Sequence, residues 1–325
     1  MSKSWNEISE IVNIELEKLS WSKEPQGLYS PIQYVMSLGG KRIRPALTLM
    51  SCNIFSDDFS QAIAPALGLE VFHNFTLLHD DIMDKAPIRR GKDTVHIKWN
   101  DNTAILSGDV MQIEAFKLMT LAPDIVLKEV LNLFTQTAAE ICEGQQYDTE
   151  FEQRNEVAAE EYIEMIRLKT AVLLGCALKT GAIIGGANSS DAQHLYDFGI
   201  NVGLAFQLKD DLLDVYGDEE KFGKKIGGDI LSNKKTYLLI QALKNANPNQ
   251  KEQLNYWLEQ INFNPEKKIK DITDLFNSIG VKKICEEIMT DYYCKAVANL
   301  ENVQVESSKK EELRNLAEKL MSRID

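Results

Sequence analysis

His79-Asp80-Asp81-Ile82-Met83-Asp84 closes the apolar run Leu67-Gly68-Leu69-Glu70-Val71-Phe72-His73-Asn74-Phe75-Thr76-Leu77-Leu78, and the reading of the whole chain turns on this junction. The run has helical spacing, so Asp80 and Asp84, four apart, share one face a turn from each other. Like charges at that spacing oppose the helix by roughly 0.2–0.5 kcal/mol. Burying them unpaired costs far more. A cation between them removes both penalties, and all-oxygen ligands select a hard one such as Mg²⁺. A solvated acidic helix end would explain this stretch alone. The pattern recurs, however, 130 residues on at Asp210-Asp211-Leu212-Leu213-Asp214, with Gln207 on the same stripe one turn before Asp210.

Outward from these motifs lie basic clusters in an acidic protein. Lys+Arg number 36 against Asp+Glu 49, a net charge of −13. Such a surface repels nucleic acid and anionic membrane, which makes local positive charge informative. Arg89-Arg90-Gly91-Lys92 follows the first motif, and Gly223-Lys224-Lys225 through Asn233-Lys234-Lys235-Thr236 follows the second. A third cluster, Lys41, Arg42 and Arg44, lies between Gly39-Gly40 and Pro45. There a helix ends and another starts, and free N–H groups reinforce an anion site. Arginine matches phosphate oxygens bidentately. Carboxylate pairs followed by cations therefore describe a site for a metal-bridged, multiply charged oxyanion, and diphosphate has that charge. No glycine loop of the nucleotide-binding kind is present.

The 44% hydrophobic content describes a globular chain. Helical periodicity predicts segments near Ala62–Asp84, Thr103–Leu121, Pro123–Glu143, Val157–Ala187 and Ala192–Val215, with a polar break at Gly144–Asp148 and shorter helices after Asn247. Neither a strand-rich region nor a long linker interrupts them, so residues 1–325 read as one all-α domain. Within Val157–Ala187, Lys169 precedes Thr170 beside an apolar segment and needs a partner, structural or ligand. No apolar run is long enough to span a membrane, and the start of the chain has no signal-peptide pattern. Five scattered cysteines without metal-ligand spacing read as buried free thiols in a reducing cytoplasm.

Gly39-Gly40-Lys41-Arg42-Ile43-Arg44-Pro45, the two Asp-Asp-x-x-Asp motifs, Arg89-Arg90-Gly91, Lys169-Thr170, Phe206-Gln207 and Gly223-Lys224 through Lys234 occur in an order that resembles the trans-isoprenyl diphosphate synthases. The resemblance implies the all-α isoprenoid synthase fold, a helical bundle with a central cavity, and a Mg²⁺-dependent condensation of isopentenyl diphosphate with an allylic diphosphate. It implies three Mg²⁺ ions bound by Asp80, Asp84 and Asp210, aided by Asp81, Asp211 and Asp214. Arg89, Lys169, Lys224 or Lys225, and Lys234 would contact the allylic diphosphate. Gly40, Lys41, Arg44, His73 and Arg90 would hold isopentenyl diphosphate, and Thr170 and Gln207 would set oxygen dipoles near the developing cation. A homodimer through the Thr103–Leu121 and Pro123–Glu143 helices is implied as well.

Phe75, about 7.5 Å along the helix from Asp80 at roughly 1.5 Å per residue, is the expected floor of the chain-length pocket. One aromatic there, small Thr76 next to it and no insertion in the first motif resemble the C20 pattern more than the C15 one. The rivals are a longer-chain synthase, a class I terpene cyclase and a non-catalytic subunit of a heteromeric synthase. The cyclase predicts an Asn/Ser/Glu second motif, and such a subunit tends to lose an aspartate motif.

Overall fold

The first acidic motif ends helix α4 (Ile63–Met83) of a computed structural model that describes residues 3–217 and 226–322. Leu67, Leu69, Val71, Phe72, Phe75 and Leu78 are all buried although they point around the whole helix, so α4 is enclosed by protein. The chain divides into two compact units.

Unit 1 comprises Met1–Thr135, Cys176–Tyr196 and Val303–Leu313. It contains α1 (Trp5–Glu17), α2 (Gln26–Ser37), α3 (Ile43–Phe55), α4, α5 (Val95–Lys98) and α6 (Asp101–Met119). Its core includes an aromatic ladder in which Phe75 meets Phe72 at 5.3 Å, Phe72 meets Phe134 at 5.1 Å and Phe134 meets Phe116 at 4.9 Å. A two-residue hairpin, Ile88–Arg89 against Lys92–Asp93, is the sheet found among the described residues.

Unit 2 comprises Gln136–Gly175, Asp197–Asn302 and Arg314–Asp325. The chain runs through α7 (Asp124–Gln153), α8 (Ala159–Ile166), α9 (Val172–Ile184) and α10 (Ser189–Tyr216). Then come α11 (Gly228–Leu231), α12 (Tyr237–Asn245), α13 (Pro248–Glu259), α14 (Pro265–Ile279), α15 (Val281–Asn302) and α16 (Ser307–Ser322). Tyr162, Leu208, Leu212, Leu238, Leu254 and Phe276 belong to this unit's core.

The all-α expectation holds, with three local corrections. Helix α7 continues through Gly144–Asp148, where the sequence predicted a break. Gly144 is there for close approach, because a Cβ on it would overlap the backbone of Lys169. The predicted Val157–Ala187 helix is divided by a π-helical turn at Arg167–Ala171. Cys52, Cys176 and Cys285 are buried as expected, but Cys142 and Cys294 are exposed, since both fall on the outer faces of their helices. Among the described residues no helix is long and apolar enough to cross a membrane.

Candidate active site

In unit 1 the last turn of α4 presents its aspartates in three settings. Asp80 is half-buried, Asp81 is buried and Asp84 is exposed as the C-terminal cap. Asp81 lies about 100° around the helix from Asp80, and its carboxylate accepts from Arg89 Nε at 2.7 Å. Arg89 Nη2 is also 3.8 Å from Asp80 Oδ2. Burial pushes the Asp81 carboxyl up, and the Arg89 guanidinium pulls it partly back. The hairpin delivers Arg89: its turn residues Arg90 and Gly91 have φ of 52° and 72°, the two left-handed positions of a type I′ turn.

The predicted basic junction between α2 and α3 lies in the same unit. Gly39 and Gly40 take φ of 74° and 141°, and a Cβ on Gly40 would press on the Arg90 guanidinium at 3.0–3.1 Å. Arg90 donates to the Gly39 carbonyl. Arg42 is committed to the core, donating to Glu70 Oε1 at 2.6 Å and to the Met36 carbonyl at 2.8 Å. Asn74 also donates to Glu70 Oε1, at 3.0 Å. Arg44 differs. Its Nε is buried without a hydrogen bond among the described residues, and burial brings its pKa down to about 10. His73, one helical face with Asp80, is held neutral: burial first, then Arg44, Arg90, Arg89 and Arg42, drive it well below the ordinary imidazole range. Lys41 is exposed at the same junction. A cleft of about 530 Å³ beside Arg90 is lined by Tyr34, Lys92, Asp93 and Lys98 among others. Guanidinium groups concentrated around a neutral imidazole, in a protein of net charge −13, make a strong local field for an anion.

The second motif, in unit 2, occupies the last turns of α10. Asp210 and Asp214 are half-buried. Asp214 Oδ2 accepts from the Asp229 backbone N–H at 3.0 Å, and its carbonyl from Gly227 at 2.6 Å. Asp211 is buried and accepts from the Tyr162 hydroxyl at 2.6 Å and the Tyr237 N–H at 3.4 Å. Burial pushes its pKa up to about 7 against the pull of Tyr162. Lys169, in the π-helical turn, donates to Asp148 Oδ2 at 2.6 Å. Thr170 beside it and Gln207 are half-buried. Lys234 is exposed just before α12, near enough to Asp211 to oppose that rise. Lys224 and Lys225 lie outside the described residues.

Phe75 is buried, with its ring edge-on to His79 at 4.8 Å. It lies about 140° around α4 from Asp80, on the face of the aromatic ladder; Thr76 and His73 share the Asp80 face. Among the described residues no three His, Cys, Asp or Glu side chains form a ready cage. Two carboxylates per motif, on one face each, suit Mg²⁺, which takes one or two carboxylates, keeps waters and completes its shell with substrate phosphate. The sequence reading did not single out Glu70, Asp148 or Tyr162. Glu70 carried a signal, a lone carboxylate in an apolar run; the other two pair across 21 and 49 residues, which no local pattern shows.

The sequence model of the family described as Polyprenyl synthetase matches residues 25–276. The chain is 38% identical to a geranylgeranyl pyrophosphate synthase of Geoglobus acetivorans over 97% of each chain. It is also 38% identical to a geranylfarnesyl diphosphate synthase of Natronomonas pharaonis over 72% of this chain and 74% of that one. A crystal structure of a geranylgeranyl pyrophosphate synthase superposes with a TM-score of 0.94 at 42% identity, covering 99% of both chains.

Proposed function

Because the chain belongs to the polyprenyl synthetase family, we propose that it is a trans-prenyltransferase condensing isopentenyl diphosphate with an allylic diphosphate to an all-trans C15–C20 product, C20 foremost. The observation that carries this reading is the pairing of an aspartate pair with a dedicated anion pocket in unit 1. Asp80 and Asp81 stand beside Arg89, with Asp84 one turn on from Asp80, while Arg44 keeps a buried Nε without a hydrogen bond among the described residues, near a neutral His73. A terpene cyclase has no use for that second pocket, and a non-catalytic subunit has no use for two intact aspartate motifs.

Asp80 and Asp84 would hold Mg²⁺, as would Asp210 and Asp214, three ions in all as the family resemblance implies, with Asp81 and Asp211 fixing the helix ends. When bound, the metal neutralises the leaving diphosphate. Arg89, Lys169 and Lys234 orient the allylic diphosphate, as would Lys224 or Lys225. Arg44, Arg90, Lys41 and His73, beside Gly40, hold isopentenyl diphosphate. The allylic C–O bond breaks with both electrons leaving on diphosphate. The isopentenyl double bond then forms the new C–C bond, and the proton lost from the adjacent carbon goes to the departing diphosphate. Thr170 and Gln207 offer oxygen dipoles to the passing positive charge. His73, kept neutral, hydrogen-bonds and does not serve as an acid.

Exposed Ile105, Leu106, Ile113, Leu121 and Ile125, on α6, in the turn after it and at the start of α7, support a homodimer; sedimentation equilibrium tests it. We extend the reading to one cooperative folding domain over 1–325 and to a cytoplasmic setting. The deciding experiment incubates purified protein with Mg²⁺, isopentenyl diphosphate and C5, C10 or C15 allylic diphosphates. Chain elongation to C20 is the expected result; cyclic hydrocarbon or no elongation overturns the proposal, and C25 corrects its length.

A further inference from the structure

Lys268, on α14, is completely buried. Among the described residues it makes no ion pair: its Nζ donates to Asn233 Oδ1 at 2.6 Å and sits 4.1 Å from the centre of the Phe263 ring. A methionine of similar length would fill that space without the desolvation cost of an ammonium. The charge therefore needs a reason, and its partner supplies one. Asn233 has φ of 55°, the left-handed region that non-glycine residues seldom occupy. Its side chain is held at both ends, since Nδ2 donates to the Leu258 carbonyl at 3.0 Å. The next residue is Lys234, whose N–H donates to the Asp229 carbonyl at 2.9 Å. Asp229 in turn donates its N–H to Asp214 Oδ2 at 3.0 Å. One hydrogen-bonded path thus runs from a buried cation on α14, through the left-handed turn, to the second acidic motif.

We propose that Lys268 is a positioning residue: by clamping the Asn233 side chain it fixes the turn from which Lys234 meets the allylic diphosphate. The inference rests on the reading of Lys234 as a diphosphate contact. Lys268 itself touches neither substrate nor metal. It sets where the ammonium of the residue next to Asn233 is presented, and so its loss should be felt in one substrate only. Asn233 serves here better than glycine, because only a residue with a side chain gives the clamp a handle.

The test uses the full-length enzyme with Mg²⁺ and varies each substrate separately in K268M, N233G and the double variant, with K234A in parallel. N233G permits the left-handed conformation and removes the handle together with its bond to the Leu258 carbonyl, so it remains informative if K268M folds poorly. Each single variant is expected to raise the allylic KM about ten-fold, the worth of one charge-assisted hydrogen bond. The isopentenyl KM should stay within about two-fold, and the double variant should be no worse than either single one. An unchanged allylic KM in folded variants overturns the proposal. So does an equal rise in both KM values together with a lowered melting temperature, which marks a merely structural role. If K234A keeps a wild-type allylic KM, the reading of Lys234 fails and takes the clamp with it. If K234A raises that KM while N233G and K268M do not, the clamp alone fails.

Discussion

Asp81 and Asp211 hold the same place in their motifs, and the two units keep them in opposite ways. In unit 1 Arg89, a third exposed, sits on the carboxylate at 2.7 Å and offsets part of the rise that burial causes. In unit 2 the carboxylate lies in a dry core on the Tyr162 hydroxyl, with its pKa at about 7. The first arrangement ties a cation to the motif where, on the proposed function, an arriving diphosphate would compete for it. The second fastens α10 to α8 and α12 with neutral donors. The third aspartates differ in the same sense: Asp84 is an exposed helix cap, while Asp214 is already bonded to the backbone of Asp229. Two copies of one pattern are thus an adjustable electrostatic half and a rigid scaffolded half.

The sharpest break of this comparison is to delete what the halves share. Asp80→Ala and Asp210→Ala should each lower kcat by on the order of 10²–10³-fold without lowering the melting temperature. A mild effect at either position would mean the halves are not equivalent in chemistry. Next in size, Phe75→Ala should lengthen the product by at least one C5 unit and cost about 3–5 kcal/mol in stability, read by product chromatography and denaturant unfolding. Position 205, at the same offset in the second motif, is already alanine, so the ruler belongs to one half only. An unchanged product would place it elsewhere.

Tyr162→Phe and Arg89→Met separate scaffold from adjustable contact. Tyr162→Phe leaves a buried carboxylate short of a donor and should cost about 1–3 kcal/mol with little change in allylic KM. Arg89→Met should do the reverse, raising allylic KM about ten-fold with a smaller stability loss, because water reaches the partly exposed pair. Equal behaviour of the two variants would dissolve the distinction.

The smallest effect concerns pH. His73 has a folded pKa far below its ordinary 6.5, so below that pH the unfolded chain binds a proton that the folded one does not. Stability should therefore fall as pH drops through 6.5 in the substrate-free enzyme. His73→Asn should remove that part of the slope, measured by urea unfolding across pH 5–8.

Local sequence carried a good deal of this. Periodicity placed α4 within one or two residues, since an apolar helix bounded by charge has few alternatives. Spacing put Asp80 with Asp84 and Asp210 with Asp214 on shared faces. The order of motifs led to the family. It failed where a residue's role is defined by a distant surface. Gly144 looked like a helix end and is a contact for the Lys169 backbone. Arg42 stood in a basic cluster with Lys41 and Arg44 that read as an anion site, yet it is spent on Glu70 inside the protein.

What the sequence determined by itself was which helices form and which side chains share a face, because those follow from a 3.6-residue period and from short-range charge. Only the tertiary structure decided which of those charges remain available. Whether Arg42 or Arg44, Asp210 or Asp211 can meet a ligand depends on partners such as Glu70 and Tyr162, far away in the chain. Burial sets that outcome, since a charge removed from water must find a partner wherever the fold supplies one.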